Sequence, residues 1–449
     1  MHQTQNRKFG LITAIAMIVG IVIGSGIFFK TDDILIQTQG NVLLGSIAWL
    51  IGATGIIFGG LTISEIASQS DEAGGIVTYI EIVSNKKAGF LTGWFLMIIY
   101  YPALTAIIAW VAALYTSLLF QIPVLSMTHW LLSIVYLLCI TLMNVYATKL
   151  AGYFQSTTMF IKLVPLILIA IIGLLFGNPG AVLNQVPTFG QVLGGSSAAI
   201  ISVAFAFDGW LVAPSICHEV KNAKRNIPLA LLIGPLFIMV VYLCYFVGMS
   251  AILGPQRIME LGDAHIYEVA TMIFGSAGAK IILVFVVISV LGTVNGLYLG
   301  LSRIPYALAL RKDLPFSNQI AEVNRKYDMP IVSAYIATGI SLLWLFIHYL
   351  STKIPVLSKL DISNLPIVLT YIFYIYLYFG IIKLTKRGVI KSKFKGFVCP
   401  AIAICSAAII LYSGFRDPMV AIYLVVCIIL IFAGLLIQQK QRTISENSN

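Results

Sequence analysis

The chain has 449 residues, of which 59% are apolar and only 10% charged, and its mean hydropathy is +0.97. That leaves too little polar material to clothe a soluble globule, so the composition specifies a polytopic membrane protein. The formal charge of +11 does not mark a nucleic-acid binder, because the basic residues sit in short loops beside span ends instead of on one domain face.

A hydrocarbon core of about 30 Å needs ~20 apolar residues per helix. Twelve such stretches follow in order, at residues 10–37, 43–66, 88–120, 129–147, 153–177, 192–217, 228–253, 276–310, 331–350, 362–384, 397–414 and 418–438. Arg7 and Lys8 before the first stretch resemble the start of a signal peptide. That reading is rejected, since eleven more spans follow and cleavage would discard half of a matched pair of features.

The first of that pair is Gly24-Ser25-Gly26, which interrupts span 1. Two glycines let the backbone leave helical geometry and strip side chains from its surface. A new half-helix then starts near Ile27, and its free N–H groups and partial positive charge suit a carboxylate. The carbonyl end of the preceding half-helix, near Val22 and Ile23, suits an ammonium group. Together they would recognise the zwitterion of an α-amino acid. Taken alone, Gly-x-Gly serves close helix packing equally well.

Further along, Glu65 ends span 2, where a basic loop residue or Lys87 could pair with it in a solvated bridge. Tyr100 and Tyr101 before Pro102 read as packing or pocket-lining residues. Lys162 lies nine residues into span 5, too deep for easy snorkelling, and must find carbonyls, hydroxyls or a carboxylate. The second break is Phe205-Ala206-Phe207-Asp208-Gly209-Trp210 in span 6. An acid so deep in an apolar span is functional by default. A cap on the half-helix of residues 209–220 accounts best for Asp208, whose carbonyl remains able to meet a substrate. In span 8, Asn295 is placed to hydrogen-bond across helices. The six cysteines, Cys139, Cys217, Cys244, Cys399, Cys405 and Cys427, fall in or at the ends of spans without metal-ligand spacing. The polar tail from Gln438 onward reads as disordered.

Lys and Arg set the orientation. With a cytoplasmic amino terminus, roughly 21 of the 28 basic residues face inward, so both termini are expected inside. The run from Lys383 to Lys395 is a topology determinant that also meets anionic headgroups. Each break lies about fifteen residues into its span and five spans separate them, so spans 1–5 and 6–10 read as inverted repeats around a midplane site. On this reading the chain is one transmembrane domain, with repeats at residues 10–177 and 192–384, helices 11 and 12 at 397–438 and a cytoplasmic tail at 439–449. The five histidines are scattered and no metal or nucleophile constellation appears, so neither an enzyme nor a cofactor or metal site is expected.

Ile23-Gly24-Ser25-Gly26-Ile27-Phe28, the Phe205 to Trp210 segment and Glu219-Val220-Lys221-Asn222-Ala223-Lys224-Arg225-Asn226-Ile227-Pro228 resemble the amino acid-polyamine-organocation permease superfamily. Ser302-Arg303 and the stretch from Ser289 to Gly296 are similar to it too. The resemblance covers nearly the whole chain and is strongest to the L-type amino acid transporter branch and its bacterial exchangers. It implies an all-α membrane protein of twelve helices with the LeuT-type fold, helices 1 and 6 broken, working by alternating access.

Carried over by position, the amides of Ser25, Gly26 and Ile27 would hold the substrate carboxylate. The carbonyls of Val22, Phe205 and Asp208 would take the amine, and the Phe205 ring would gate the extracellular side. Lys162 would stand where sodium-coupled relatives bind an ion, bridging Gly20 to Ser289 or Thr293 in span 8, which implies sodium-independent transport. His218 departs from the family pattern, which has an acid there, and puts an inner acidic pair in doubt. Residues 121–128 hold no cysteine, so no disulfide-linked heavy chain is expected and a monomer suffices. Apart from Asp208, no midspan carboxylate is evident in spans 1, 3, 6 or 8 to meet a basic side chain. The expected substrates are therefore small neutral L-amino acids, by exchange, with proton symport or a permease-like sensor as alternatives.

Overall fold

The computed structural model describes residues 10–67, 75–210, 220–355, 361–416 and 420–447. The described residues are helical apart from loops and turns, with an isolated β-bridge between Asn324 and Met329. Among the described residues, eleven helical stretches are long and apolar enough to cross a bilayer. The segment expected at 192–217 begins with the helix Phe189–Ala206; residues 211–219 lie outside the description, and with them Cys217, His218 and Glu219 of the sequence motifs.

Span 1 is three pieces, Leu11–Val22, Ser25–Phe29 and Thr31–Gln37. The last two act as one half-helix, because Lys30 N–H donates to Gly26 O at 2.9 Å and Ile34 N–H to Lys30 O at 3.0 Å, which carries the ladder across the bend. Span 3 runs Lys86–Phe95, a π-helical turn Leu96–Tyr100, then Tyr101–Phe120. The turn has a local cause. Pro102 has no N–H to offer the carbonyl four residues back, that of Ile98, and its ring crowds that position. Trp344 Nε1 satisfies the displaced Ile98 carbonyl at 2.7 Å, as a membrane interior demands of any freed backbone group.

Some boundaries differ from the sequence expectations. The helix His265–Leu301 starts earlier than residue 276 and bends at Gly275, and Ile304–Leu310 follows as a separate helix. The expected disorder after Gln438 is not found up to Asn447: the last helix, Val420–Asn447, runs on through the polar residues, whose composition of Gln, Lys and Arg favours helix as much as coil.

The core gathers around the two broken spans. Ala223–Leu253 packs on Val42–Ala67, Thr148–Phe176 and Leu11–Val22, while His265–Leu301 packs on Tyr101–Phe120 and Thr148–Phe176. Leu11–Val22 is thus held from several sides. At the rim, Ile428, Ile429 and Phe432 of the last helix are exposed, which suits a lipid-facing position in a bilayer.

Small residues set the closest helix approach. A Cβ on Gly173 would stand 2.2 Å from Gly248 O in the neighbouring helix, so the two backbones meet without side chains between them. Gly173→Val should destabilise the fold by about 1–3 kcal/mol, the usual cost of overpacking. Gly339→Ala, with nothing within 4 Å of the added carbon, should not. Thermal midpoints of the two purified variants in one detergent check this, and equal midpoints would contradict the packing.

Candidate functional site

The two breaks lie against each other. A Cβ added to Gly26 would stand 2.4 Å from the Cα of Ala206, so only glycine permits the approach. Gly209 has φ +97°, a left-handed conformation open to glycine, and a Cβ there would meet Ile21 Cγ2 at 2.7 Å. Helical bonding in span 1 lapses at Ile23 and resumes at Ser25, so the first amides of the half-helix have no intrahelical acceptor. Ser25, Gly26 and Ile27 are all buried.

Tyr242 joins the breaks. Its hydroxyl shares one proton between Val22 O at 3.0 Å and Ala206 O at 3.2 Å. Asp208 N–H donates to Phe205 O at 3.1 Å. Two of the carbonyls expected to face an amine, those of Val22 and Phe205, therefore already accept hydrogen bonds from the protein. Val22 O has a second lone pair to offer.

The Asp208 carboxylate accepts from the backbone N–H of Gly209, the first residue of the half-helix it was expected to cap, while residues 211–219 of that half-helix lie outside the described residues. Tyr100 Oη also donates to this carboxylate, at 2.8 Å from Oδ1 and 2.6 Å from Oδ2. Tyr100 closes the π-helical turn of span 3, and the extra residue in that turn aims its hydroxyl at the second break. Sequence reasoning treated this tyrosine mainly as packing; the following proline was the available signal.

Lys162 is fully buried. Its Nζ donates to Gly20 O at 2.8 Å and to Thr293 Oγ1 at 3.0 Å, tying spans 5, 1 and 8 together just below the first break. Ser289 does not share in this bridge: its Oγ is buried without a hydrogen-bond partner among the described residues. Its carbonyl accepts from Thr293 Oγ1 at 3.3 Å. Asn295 faces other helices, donating to Gln155 Oε1 at 2.9 Å and Ala151 O at 3.2 Å and accepting from Asn144 Nδ2 at 2.8 Å.

The Phe205 ring is 5% exposed. Phe29 packs on it with centroids 6.2 Å apart, and Lys30 Nζ lies 5.4 Å from its centre. Lys30 was not singled out from the sequence, yet it is buried and bridges Asp33 at 2.8 Å and Asp361 at 2.9 Å. Burial would push the Asp361 carboxyl up, but the Lys30 ammonium and the Ser363 donors hold it below the usual carboxylate range. At the other end of the bundle Glu65 pairs with Lys395 at 2.9 Å, not with Lys87, and Glu81 pairs with Arg311.

The two breaks and the buried Lys162 thus lie close together in the core of the bundle. The amino acid permease family model matches residues 9–449. The chain belongs to the amino acid permease family. It is similar to the serine/threonine exchanger SteT of Bacillus subtilis (strain 168), 31% identical over 397 residues that make up 86% of each chain. It is also similar to the human large neutral amino acids transporter small subunit 2, 27% identical over 87% of this chain and 70% of that one. Mouse b(0,+)-type amino acid transporter 1 is 27% identical over 67% and 62% respectively. These relatives are transporters and exchangers, so this permease is a multi-pass membrane transporter and not an enzyme.

The Tyr100–Asp208 bond can be tested in this permease directly. A hydrogen bond to a charged group contributes ~1.5–3 kcal/mol, so Tyr100→Phe and Asp208→Asn should each lower the thermal midpoint. The double variant should lose clearly less than the sum. Strict additivity would mean the two side chains do not interact.

Proposed function

We propose that the protein is a sodium-independent secondary transporter that exchanges small neutral L-amino acids by alternating access. In this reading it has twelve spans and the LeuT-type arrangement, two inverted repeats at residues 10–177 and 192–384, with helices 11 and 12 at 397–438 and both termini cytoplasmic. The observation that carries it is the meeting of the two breaks at Gly26 and Ala206, which brings a half-helix amino terminus and free carbonyl lone pairs to one place.

The amides of Ser25, Gly26 and Ile27 would hold the carboxylate, favoured by the half-helix dipole. The carbonyls of Val22, Phe205 and Asp208 would take the amine, with the Phe205 ring closing over the substrate on the extracellular side. Lys162 supplies a fixed ammonium between Gly20 and Thr293, which supports transport without a mobile sodium ion. The Asp208 carboxylate is engaged by Tyr100, which takes it away from a basic substrate side chain and supports a neutral one. Exchange, and serine or threonine as substrates, follow the similarity to SteT. The absence of a cysteine in residues 121–128 supports a permease that works alone.

Counterflow in liposomes at equal pH tests the reading. Labelled L-serine should enter only when unlabelled amino acid is inside, with the same rate in sodium and in potassium, and Gly26→Ala should reduce entry at least tenfold. Entry into empty vesicles driven by a pH gradient would indicate symport, and a steep rise with a sodium gradient would end the role given to Lys162.

A further inference from the structure

A cavity of about 300 Å³ lies beside the first broken span, a volume at the lower end of small-molecule sites. Phe29, which packs on Phe205, forms part of its wall. Four carboxylates line it, Asp32, Asp33, Asp263 and Asp361, against the single ammonium of Lys30. They come from three separate parts of the chain.

Lys30 is committed to Asp33 and Asp361. Asp32 is only 8% exposed, and its Oδ1 is buried with no hydrogen-bond partner among the described residues. The carboxylate keeps a backbone hydrogen bond from Asp33, but a buried carboxylate with one oxygen left without a donor is costly, and a cation brought to it recovers much of that cost. His348, also in the wall, has two buried ring nitrogens without partners. Trp110 adds an aromatic surface of the kind that attracts cations.

The chemistry points away from a metal. Among the described residues no group of His, Cys, Asp or Glu is arranged to hold one, and the cavity is far larger than an ion. A primary ammonium on a small organic body fits better: its N–H groups suit carboxylates and imidazole, and its carbon portion suits Trp110 and Ile107. We propose that this cavity is a second binding site, specific for a primary organic ammonium group and separate from the breaks. It does not depend on the breaks binding an amino acid. The carboxylates of Asp32 and Asp263 receive the ammonium, and Lys30 with its two partners closes one wall.

Calorimetric titration of the full-length protein in detergent with n-butylammonium chloride tests it, because this probe has no carboxylate for the breaks to hold. Saturable binding is expected, with sodium chloride at the same concentrations producing none. Asp32→Asn and Asp263→Asn should each weaken binding about tenfold or more, while Gly26→Ala should leave it intact. Either aspartate variant suffices if the other does not fold. No saturable binding, equal binding of sodium, unchanged affinity in a folded aspartate variant, or loss of binding in folded Gly26→Ala would each overturn the second site. None of these outcomes alters the counterflow result, so the two readings fail separately.

Discussion

Everything in this structure depends on how closely two interrupted helices approach. In a bilayer a broken helix leaves amides and carbonyls with no water to receive them, and here each break covers part of the other. Gly26 passes Ala206 with no room for a methyl group, and Tyr242 spans the remaining gap by touching Val22 O and Ala206 O. The freed groups are thereby neither wasted nor fully consumed. The hydroxyl occupies one lone pair of each carbonyl, and the first-turn amides of the half-helix have no acceptor within it.

Two buried ionisable side chains frame that junction, and each is held by groups from another helix. Lys162 spends its donors on Gly20 O and Thr293 Oγ1, and Asp208 receives Tyr100. Removing one partner from a buried charge costs several kcal/mol, so these bonds fix the spacing of spans 1, 3, 5, 6 and 8 around the breaks. Further along span 1 the Lys30 cluster adds a second charged layer beyond the Phe205 ring. Glu65 with Lys395 and Glu81 with Arg311 tie the other end.

Eleven of the span positions and the glycine-marked interruption of span 1 were legible because hydropathy and glycine act locally, within a stretch of sequence. Lys162 was legible for the same reason, as a charge where none should be. Its choice of Thr293 over Ser289 was not, since both stand on span 8 four residues apart and only the packing of span 5 decides between them. Tyr242 carried no signal: nothing distinguishes it in the sequence from the other 20 tyrosines. The Gly209 N–H is the local partner that a cap at Asp208 anticipates, whereas Tyr100, brought in by the π-helical turn before Pro102, is a tertiary partner that the sequence does not announce. The carboxylates around Lys30 escaped notice because Asp32, Asp263 and Asp361 are distant in sequence and each, seen singly, reads as a loop or span-end residue.

The central claim is that backbone groups of the two breaks read both charges of one amino acid. The most direct measurement is calorimetric binding of L-serine to the full-length permease, beside its methyl ester, which lacks the carboxylate, and D-glycerate and L-glycerate, which replace the amine by a hydroxyl. The account predicts that L-serine binds and that loss of either charge weakens binding at the breaks by about a hundredfold or more, roughly 2.7 kcal/mol. Glycerate or the ester binding as tightly as serine, with that binding abolished by Gly26→Ala, would contradict it.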